Sequence, residues 1–173
     1  DATLKANALA ASQRAMGAQM DKSGSVWMPF VAKATALLKD GGRLAFVLPL
    51  DFTYVRYARP LWEYLSKMFG TLSVLRVRQR VFTDILQNVL ILFADRRGES
   101  TDTVRFIVRD ALNCDCDVDH ASNVKIPIAD VIAGERVFQR ALLSRDTLDV
   151  MHELMSHSGA AHHRVKFSIG YVS

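Results

Sequence analysis

The sequence predicts an α/β fold in which the strands of a partly parallel sheet alternate with helices, and three observations carry this prediction. Residues 43–49 follow a Gly-Gly helix terminator and are continuously apolar after Arg43, which is typical of a buried strand in a parallel sheet. A helical pattern then separates this run from a second strand at residues 71–78. A third apolar run, at residues 88–94, follows a loop that is too short to hold a parallel crossover. The predicted order is therefore a parallel strand, a helix, a strand and an antiparallel return strand.

Two helices are predicted before the first strand. Residues 3–20 are rich in alanine, with leucine and methionine at loosely helical spacing. The second helix begins after Ser25, carries Pro29 in its first turn, where a missing N–H costs nothing, and ends at residues 40–42. The strand that follows, Arg43–Pro49, is apolar without alternation, so we expect it to be buried on both faces of the sheet.

The middle of the chain is predicted to hold one helix and two strands. The helix spans Tyr57–Phe69, and Gly70 closes it. The strands span Thr71–Arg78 and Asn88–Ala94, and the short loop Gln79–Gln87 between them predicts that they run antiparallel. One face of the helix carries Leu61, Tyr64, Leu65 and Met68.

The last third of the chain carries weaker patterns. Thr103–Val108 predicts a short strand, whereas Asp110–Ser122 is acidic and irregular, and Ile126–Val131 is at most a short segment. Thr147–His157 predicts an amphipathic helix, and Arg164–Val172 predicts a final strand. The side chains of that helix that we expect to point inward are Leu148, Met151, Leu154 and Met155.

Composition excludes several classes of protein. The chain has 173 residues, of which 50% are hydrophobic, so it can form a domain with a real core and is not globally disordered. Its longest apolar run is Leu44–Leu50, against the roughly 20 residues that span a bilayer, so neither a transmembrane segment nor a membrane partner is predicted. Cys114 and Cys116 are too close together to form a stabilising disulfide, which favours a reducing, cytoplasmic location.

Charge is distributed unevenly along the chain. The net charge is only +4, but the stretch from Gly41 to Arg80 holds seven basic residues against two acidic ones. The stretch from Asp110 to Asp119 holds four acidic residues and no basic one. A basic middle section fits a phosphate-bearing partner, and it fits an ordinary solvated surface equally well.

Metal and hydrolase sites find little support in the sequence. His152 and His157 are five residues apart and diverge by roughly 140° around a helix, so they do not form the histidine pair of a zinc protease. Cys114, Cys116 and His120 offer possible ligands, but the second cluster that zinc sites usually need is missing. No Gly-x-Gly-x-x-Gly, Walker or Gly-x-Ser-x-Gly motif is present, so we predict no metal, no self-contained nucleotide site and no hydrolase nucleophile.

Three arginines and one phenylalanine at the end of the second strand form the remaining candidate site. Arg76, Arg78 and Arg80 stand at alternate positions, and Phe82 follows them in the loop. Arginines that contact phosphates, next to an aromatic ring that stacks on a base, are the combination that nucleic-acid sites use. A charged edge strand that avoids aggregation, with a phenylalanine that caps the core, explains the same residues.

Several ordered segments resemble one enzyme family. Phe30–Pro49, Tyr57–Leu61, Arg80–Phe82 and Gln87–Leu92 resemble, in this order, segments that follow the Asn-Pro-Pro-Tyr motif of adenine-N6 DNA methyltransferases. The relatives in question are the large type II and type IIG-like enzymes of bacterial restriction–modification systems. The tail, Val165–Ser173, is similar to the junction where their catalytic domain passes to the target-recognition domain.

The resemblance implies a Rossmann-like methyltransferase fold that ends in an antiparallel hairpin added to a parallel sheet. It also implies a base-flipping enzyme that transfers a methyl group from S-adenosyl-L-methionine to the N6 atom of adenine in double-stranded DNA. Phe82 matches the aromatic residue that packs against the flipped adenine, and Phe30 matches a position near the adenine of the cofactor. Pro49, with residues 51–53, matches the strand end near the pocket, and the three arginines become candidates for contacts with the DNA backbone.

Two departures from the family determine the final interpretation of the sequence. The Asn-Pro-Pro-Tyr motif and the glycine-rich cofactor loop are both absent from the 173 residues, so no catalytic residue is assigned. We therefore expect a fragment of a larger enzyme, inactive alone, that begins without a methionine. Residues 1–109 would be the carboxy-terminal half of the catalytic domain, and residues 110–173 an irregular extension towards the target-recognition domain. A non-catalytic DNA-binding or assembly module, and a methyltransferase that acts on RNA or protein, remain as alternatives.

Overall fold

The computed structural model describes residues 2–17, 25–79, 88–111, 122–134 and 136–157. Within these residues the architecture is mixed α/β and is built on a five-stranded sheet. The chain divides into two compact units, residues 1–141 and 142–173; the sheet belongs to the first unit, and the described part of the second is mainly one helix. The elements in chain order are α1 (Ala2–Met16), α2 (Trp27–Leu37), β1 (Leu44–Pro49), α3 (Arg59–Met68), β2 (Phe69–Val77), β3 (Val89–Arg97), β4 (Thr103–Arg109), β5 (Ser122–Pro127), α4 (Ile128–Ala133), α5 (Val137–Arg140) and α6 (Arg145–His157).

The strands lie in the order β1-β3-β2-β4-β5. Strand β3 is antiparallel to both of its neighbours, β1 and β2, which therefore point in the same direction. Strand β4 is parallel to β2, and β5 is antiparallel to β4. The predicted antiparallel return of β3 is confirmed, but β3 lies between β1 and β2 rather than beyond them.

The turn between α2 and β1 shows how the glycines set the direction of the chain. Gly41 adopts a φ of +74°, which favours glycine because a side chain is strained there. Its N–H donates to the carbonyl of Arg97 at 2.7 Å, and the N–H of Arg97 donates to the carbonyl of Gly42 at 3.1 Å. These two bonds tie the turn to the end of β3, so that β1 begins in register beside it.

The core lies between one face of the sheet and helices α2–α5. Alternate strand residues, such as Leu72, Leu92 and Phe106, point towards these helices and are buried. The Phe106 ring contacts Phe138 of α5 edge-on at 5.3 Å, and Phe138 stacks against Trp62 of α3 at 5.5 Å. Each ring removes a large apolar area from water, so this cluster joins the helices to the sheet.

The expectation that β1 is buried on both faces is wrong. Leu44 and Leu48 point towards the helices and are buried, but Ala45 is exposed and the side chain of Val47 is 50% exposed. Among the described residues, β1 is an edge strand whose second face no helix covers. The continuous apolar run of β1 thus includes side chains on a second face, and no helix among the described residues covers that face.

Short elements after β4 were missed by the sequence analysis. The stretch at 122–133, expected to be irregular or at most a short segment, forms β5 and α4. Neither element is longer than six residues, and their pattern is too short to reveal a period before the neighbouring strand is known. The predicted strand Arg164–Val172 lies outside the described residues.

Helix α6 forms close to its predicted bounds, but its apolar side chains are not all buried. Leu148 and Met151 are half-buried, whereas Leu154 is 62% exposed and Met155 63% exposed. The prediction that these four residues point inward is therefore wrong for the last two. No helix in the described ranges is long and apolar enough to cross a membrane.

Candidate functional site

The carboxyl ends of β1, β2 and β4 meet at one edge of the sheet, because these three strands point in the same direction. Past the last strand residues, the backbone stays connected: the N–H of Arg78 donates to Arg109 at 2.8 Å, and that of Gln79 to Asp110 at 2.9 Å. At the other side, the N–H of Leu50 donates to Asn88 at 2.9 Å. In open α/β sheets, ligands bind outside the carboxyl ends of the strands, so we call this the carboxyl edge and treat it as the candidate site.

Pro49 ends β1 at the carboxyl edge, where its missing N–H removes no ladder bond from the interior of the sheet. The chain then forms a 3-10 turn over Leu50–Thr53. Within this turn, the Thr53 hydroxyl donates to the carbonyl of Leu50 at 2.8 Å. This turn ends the strand direction of β1, and residues 51–54 therefore stay at the carboxyl edge.

A hydrogen-bonded pair, Asp51 and Tyr54, follows directly. The hydroxyl of Tyr54 donates to the carboxylate of Asp51. This bond raises the pKa of Tyr54, with smaller effects from burial and from the negative charge of Asp51, because all of them favour the neutral phenol. Burial, together with the same carboxylate, raises the pKa of the neighbouring Tyr57. The edge therefore presents one carboxylate that two neutral tyrosines surround.

An aromatic cluster packs against this turn. Phe52 is buried and stacks on Trp62 with ring centroids 4.1 Å apart, and the Trp62 indole N–H donates to the Phe52 carbonyl at 3.0 Å. Trp27, at the start of α2, meets Phe52 edge-on at 5.6 Å and Tyr57 at 6.4 Å. The start of α2 therefore lies beside the end of β1.

Phe30 lies one turn into α2, at this same end of the molecule, and its side chain is 64% exposed. Its neighbours Met28 and Val31 are fully buried, so the helix fixes the backbone while the Phe30 ring faces solvent. An exposed aromatic ring on a rigid helix beside the carboxyl edge offers a flat apolar surface to a ligand. Phe30 therefore lies in the first turns of α2 and Pro49 at the end of β1, and their assignment to the cofactor stays a prediction.

The arginines differ in their surroundings. Arg76 is half-buried within β2, opposite Val108 of β4. Arg78 lies just past the strand and forms an exposed ion pair with Asp110 at 3.2 Å. Arg80 and Phe82 lie outside the described residues, but Gln79 and Asn88, which flank that stretch, both lie at the carboxyl edge. The assignment of Arg76, Arg78 and Arg80 to the DNA backbone stays a prediction.

The sequence analysis did not identify the Asp51–Tyr54 pair. A signal was present, because three aromatic residues follow the apolar strand within eight positions, at Phe52, Tyr54 and Tyr57. Which of them would be buried depends on Trp27 and Trp62, which come from two different helices. Within the described part of the chain, no group of three His, Cys, Asp or Glu side chains could hold a metal ion. Cys114, Cys116 and His120 lie outside that part.

Comparison with known proteins gives matches among solved structures only. No protein-family model and no curated protein matches the chain. The fold is similar to part of the type IIG restriction endonuclease BpuSI, with a TM-score of 0.57 and 13% identity over 91% of this chain and 20% of that one. Two weaker matches are the ATP-dependent type ISP restriction–modification enzyme LlaBIII bound to DNA (TM-score 0.46, 12% identity, 60% of this chain and 8% of that one) and a DrdV–DNA complex (0.44, 19%, 61% and 12%).

The structural neighbours are restriction–modification enzymes. At this level of identity, the similarity to BpuSI is one of fold. The chain spans about a fifth of the length of BpuSI, so most of that enzyme has no counterpart here.

Proposed function

We propose that the chain is the carboxy-terminal half of an S-adenosyl-L-methionine-dependent DNA methyltransferase domain, which acts on the N6 atom of adenine in a restriction–modification enzyme. The observation that carries this proposal is the similarity of fold to BpuSI over 91% of the chain. The exposed Phe30 ring on α2 and Pro49 at the end of β1 support it. The topology supports it as well, because β2 and β3 form an antiparallel hairpin in a sheet that also contains parallel strands. The resemblance in sequence implies a hairpin of this kind.

The residues at the carboxyl edge fit the adenine part of the cofactor. Phe30 presents an exposed ring on which an adenine can stack, and Pro49 ends the strand beside it. Bound there, S-adenosyl-L-methionine would supply an electrophilic methyl group: the sulfur–methyl bond would break as the N6–methyl bond forms, S-adenosyl-L-homocysteine would leave, and N6 would lose a proton to solvent. The glycine-rich loop of the family is absent from the sequence, so the contacts with the rest of the cofactor belong to another part of the enzyme.

The residues of this chain hold and orient the DNA. Phe82 stacks on the adenine that has left the duplex, and Arg76, Arg78 and Arg80 contact the phosphates that flank it. Aligning N6 with the methyl group and excluding water need no ionised side chain from this chain. The Asn-Pro-Pro-Tyr motif that polarises N6 in the family would come from the amino-terminal half.

That amino-terminal half also has a place in the sheet. Strand β1 pairs only with β3 among the described residues, so its other edge offers unpaired backbone groups to a further strand. We propose that the amino-terminal half of the domain pairs at this edge. In this proposal a target-recognition domain further along the same polypeptide supplies the sequence specificity. The proposed location of the enzyme is the cytoplasm.

The second candidate function is a non-catalytic module that binds DNA or assembles a larger complex. The absence of the Asn-Pro-Pro-Tyr motif and of the glycine-rich loop favours it, because the chain alone holds neither group. Methyl transfer to RNA or to protein is a third possibility, because the Asn-Pro-Pro-Tyr motif that would distinguish adenine in DNA from these substrates is absent from the 173 residues.

The test is methyl transfer by the whole enzyme of which these residues are a part. Purified protein is incubated with duplex DNA and S-adenosyl-L-methionine labelled on the methyl group, and we expect the label in N6-methyladenine. The variant Phe82→Ala should slow single-turnover methylation roughly ten- to a hundredfold, because base–aromatic stacking is worth about 1–3 kcal/mol. Phe82→Trp should keep much of the rate.

The matched control is Phe106→Ala, a buried ring on β4 that packs against Phe138. It should cost about 3–5 kcal/mol of stability and leave the rate per folded molecule unchanged. If Phe82→Ala behaves in the same way, Phe82 is a core residue and its assignment to the base is wrong. Label in RNA or protein, or DNA binding without label, would favour the alternatives.

A further inference from the structure

The face of the sheet that points away from α2–α5, which we call the open face, carries an apolar stripe. Val47, Ile91, Leu75 and Ile107 stand side by side in register on β1, β3, β2 and β4. The last three, with Phe93, line a groove of about 700 Å³, and Phe93 is 41% exposed. No element of the described part of residues 1–141 covers this groove. Helices normally cover such a face in α/β proteins.

Two cations stand directly opposite each other beside the groove. Arg105 of β4 and Lys125 of β5 are cross-strand partners on the open face. Like charges in this position destabilise a sheet. The Arg105 Nε atom donates to the Ser73 hydroxyl at 3.2 Å, and no acidic side chain in the described residues forms an ion pair with Arg105 or Lys125. A polar hollow of about 300 Å³, lined in part by Thr71 and Thr103, adjoins both cations.

The opposite side of the groove is electrically balanced. Arg43, just before β1, forms an ion pair with Asp95 of β3 at 2.9 Å. Among the described residues, the positive charge of the open face that has no acidic partner is therefore concentrated on the β4–β5 side. A ligand that covers the groove meets an apolar surface in the middle and cations along one flank only.

We propose that the open face is a docking surface for a protein α-helix that carries an apolar ridge and acidic side chains along one flank. A helix is about 10–12 Å across, and neighbouring strands are about 4.8 Å apart, so one helix covers the apolar residues of two or three strands. Its carboxylates then lie over Arg105 and Lys125 and relieve their repulsion. The proposal does not use the carboxyl edge, and the amino-terminal half that the proposed function requires is a source of such a helix.

Two other occupants fit the open face less well. A second copy of the chain would bring its own Arg105 and Lys125 to the interface, so like charges would meet unless its acidic groups faced them. Single-stranded nucleic acid stacks its bases on aromatic rings, but the stripe is aliphatic and Phe93 is the aromatic residue that lines the groove. An acidic amphipathic helix satisfies both the apolar middle and the charged flank.

The experiment uses two fluorescent helical peptides of equal length and identical apolar ridge, one with glutamates and the other with lysines along the same flank. Their binding to the 173-residue chain is followed by fluorescence anisotropy. We expect the glutamate peptide to bind roughly ten- to a hundredfold more tightly than the lysine peptide, because like charges at an interface are strongly unfavourable. The double variant Arg105→Glu, Lys125→Glu should reverse the preference.

The matched control is Lys39→Glu, an exposed residue beyond α2 that does not line the groove, and it should leave both affinities unchanged. Thermal unfolding checks that each variant folds, and the double variant keeps a like-charged pair across β4 and β5. Equal affinities for the two peptides would overturn the proposal. Binding of single-stranded oligothymidylate that the double variant abolishes would assign the face to nucleic acid. Self-association that the glutamate peptide disperses would assign it to a second copy.

Discussion

At the scale of single residues, the Asp51–Tyr54 pair gives the carboxyl edge a defined protonation state. The tyrosine donates to the carboxylate, and this bond raises the pKa of the phenol above its ordinary value of about 10. Tyr54 therefore remains a neutral hydrogen-bond donor at physiological pH. Asp51 accepts that bond and keeps its remaining lone pairs for a ligand.

The pair predicts how the protein titrates at alkaline pH. A raised pKa in the folded state means that the contribution of Tyr54 to stability is complete below about pH 10 and is lost as the pH rises through the raised value. Asp51→Asn should lower the pKa of Tyr54 towards its ordinary value, because the charged acceptor is gone. Ultraviolet absorbance of tyrosinate, recorded against pH, measures the shift.

Asp95→Asn is the control for this titration. Asp95 lies on β3 at the end of the strands opposite the carboxyl edge, and it pairs with Arg43. It should leave the tyrosine titration unchanged. A titration curve of Asp51→Asn that coincides with that of the unmodified protein would show that the pair does not form in solution.

At the scale of elements, the end of α4 depends on one glycine. Gly134 adopts a φ of +84° and ends the helix in a left-handed conformation. The guanidinium of Arg59, at the start of α3, occupies the space that a Cβ atom of residue 134 would need. This contact connects α4 to α3, the helix that carries Trp62 beneath the carboxyl edge.

Gly134→Ala should therefore cost the left-handed conformation plus a small amount for displacing the Arg59 guanidinium, which is the far end of a flexible side chain. The left-handed conformation costs roughly 1–2 kcal/mol for a residue with a Cβ atom. Gly41→Ala is the matched control, because Gly41 has a φ of +74° and a Cβ atom added there would meet open space within 4 Å. The free energy of unfolding of both variants, from chemical denaturation, gives the difference.

The double variant Gly134→Ala, Arg59→Ala should recover part of that difference, because it removes the clash and leaves the backbone strain. Equal losses for Gly134→Ala and Gly41→Ala would mean that the Arg59 side chain moves aside without cost.

The free edge of β1 makes a second prediction at this scale. A strand edge with unpaired N–H and C=O groups pairs readily with another chain, so we expect the 173-residue chain to self-associate as its concentration rises. Ala45→Lys places a charge on an exposed position of this edge strand and should reduce the association. Light scattering at several concentrations measures it. A concentration-independent monomer would contradict the prediction and favour a self-contained module.

At the scale of the whole molecule, the described residues form a sheet with helices packed against one face. The carboxyl edge brings together the ends of β1, β2 and β4, whereas the groove lies on the open face of the same strands. Arg109 ends β4 at the carboxyl edge and also lines the groove, so a ligand at the edge and a partner on the open face would approach each other at this residue.

The chain alone should not bind S-adenosyl-L-methionine appreciably. In the proposed function the exposed Phe30 ring would contact only one part of the cofactor, and the glycine-rich loop and the Asn-Pro-Pro-Tyr motif are absent from the 173 residues. Isothermal titration calorimetry of the 173-residue chain should therefore give no saturable heat. A dissociation constant in the low micromolar range, on the order of −8 kcal/mol, would contradict the proposal that the cofactor site needs a second half.

Local sequence patterns determined the strands and helices of the central region. The bounds of α2, β1, α3, β2 and β3 agree with the predicted ones to within a few residues, because apolar runs, the glycine turn before β1 and Pro29 act over short distances. The prediction that Gly70 closes α3 is wrong, because β2 already begins at Phe69 and includes Gly70. The antiparallel direction of β3 followed from the length of one loop. Phe30 and Pro49 were proposed from the sequence through a resemblance to a family, and their role stays a prediction.

Only the tertiary structure decided which strands are neighbours and which surfaces remain uncovered. The position of β3 between β1 and β2, and the register that sets Arg105 opposite Lys125, depend on backbone hydrogen bonds between distant segments. Strand β5 exists because β4 offers it a partner, and Val47 is exposed because no described helix lies over it. The burial of an apolar residue depends on what packs against it, and no local pattern in the sequence specifies that neighbour.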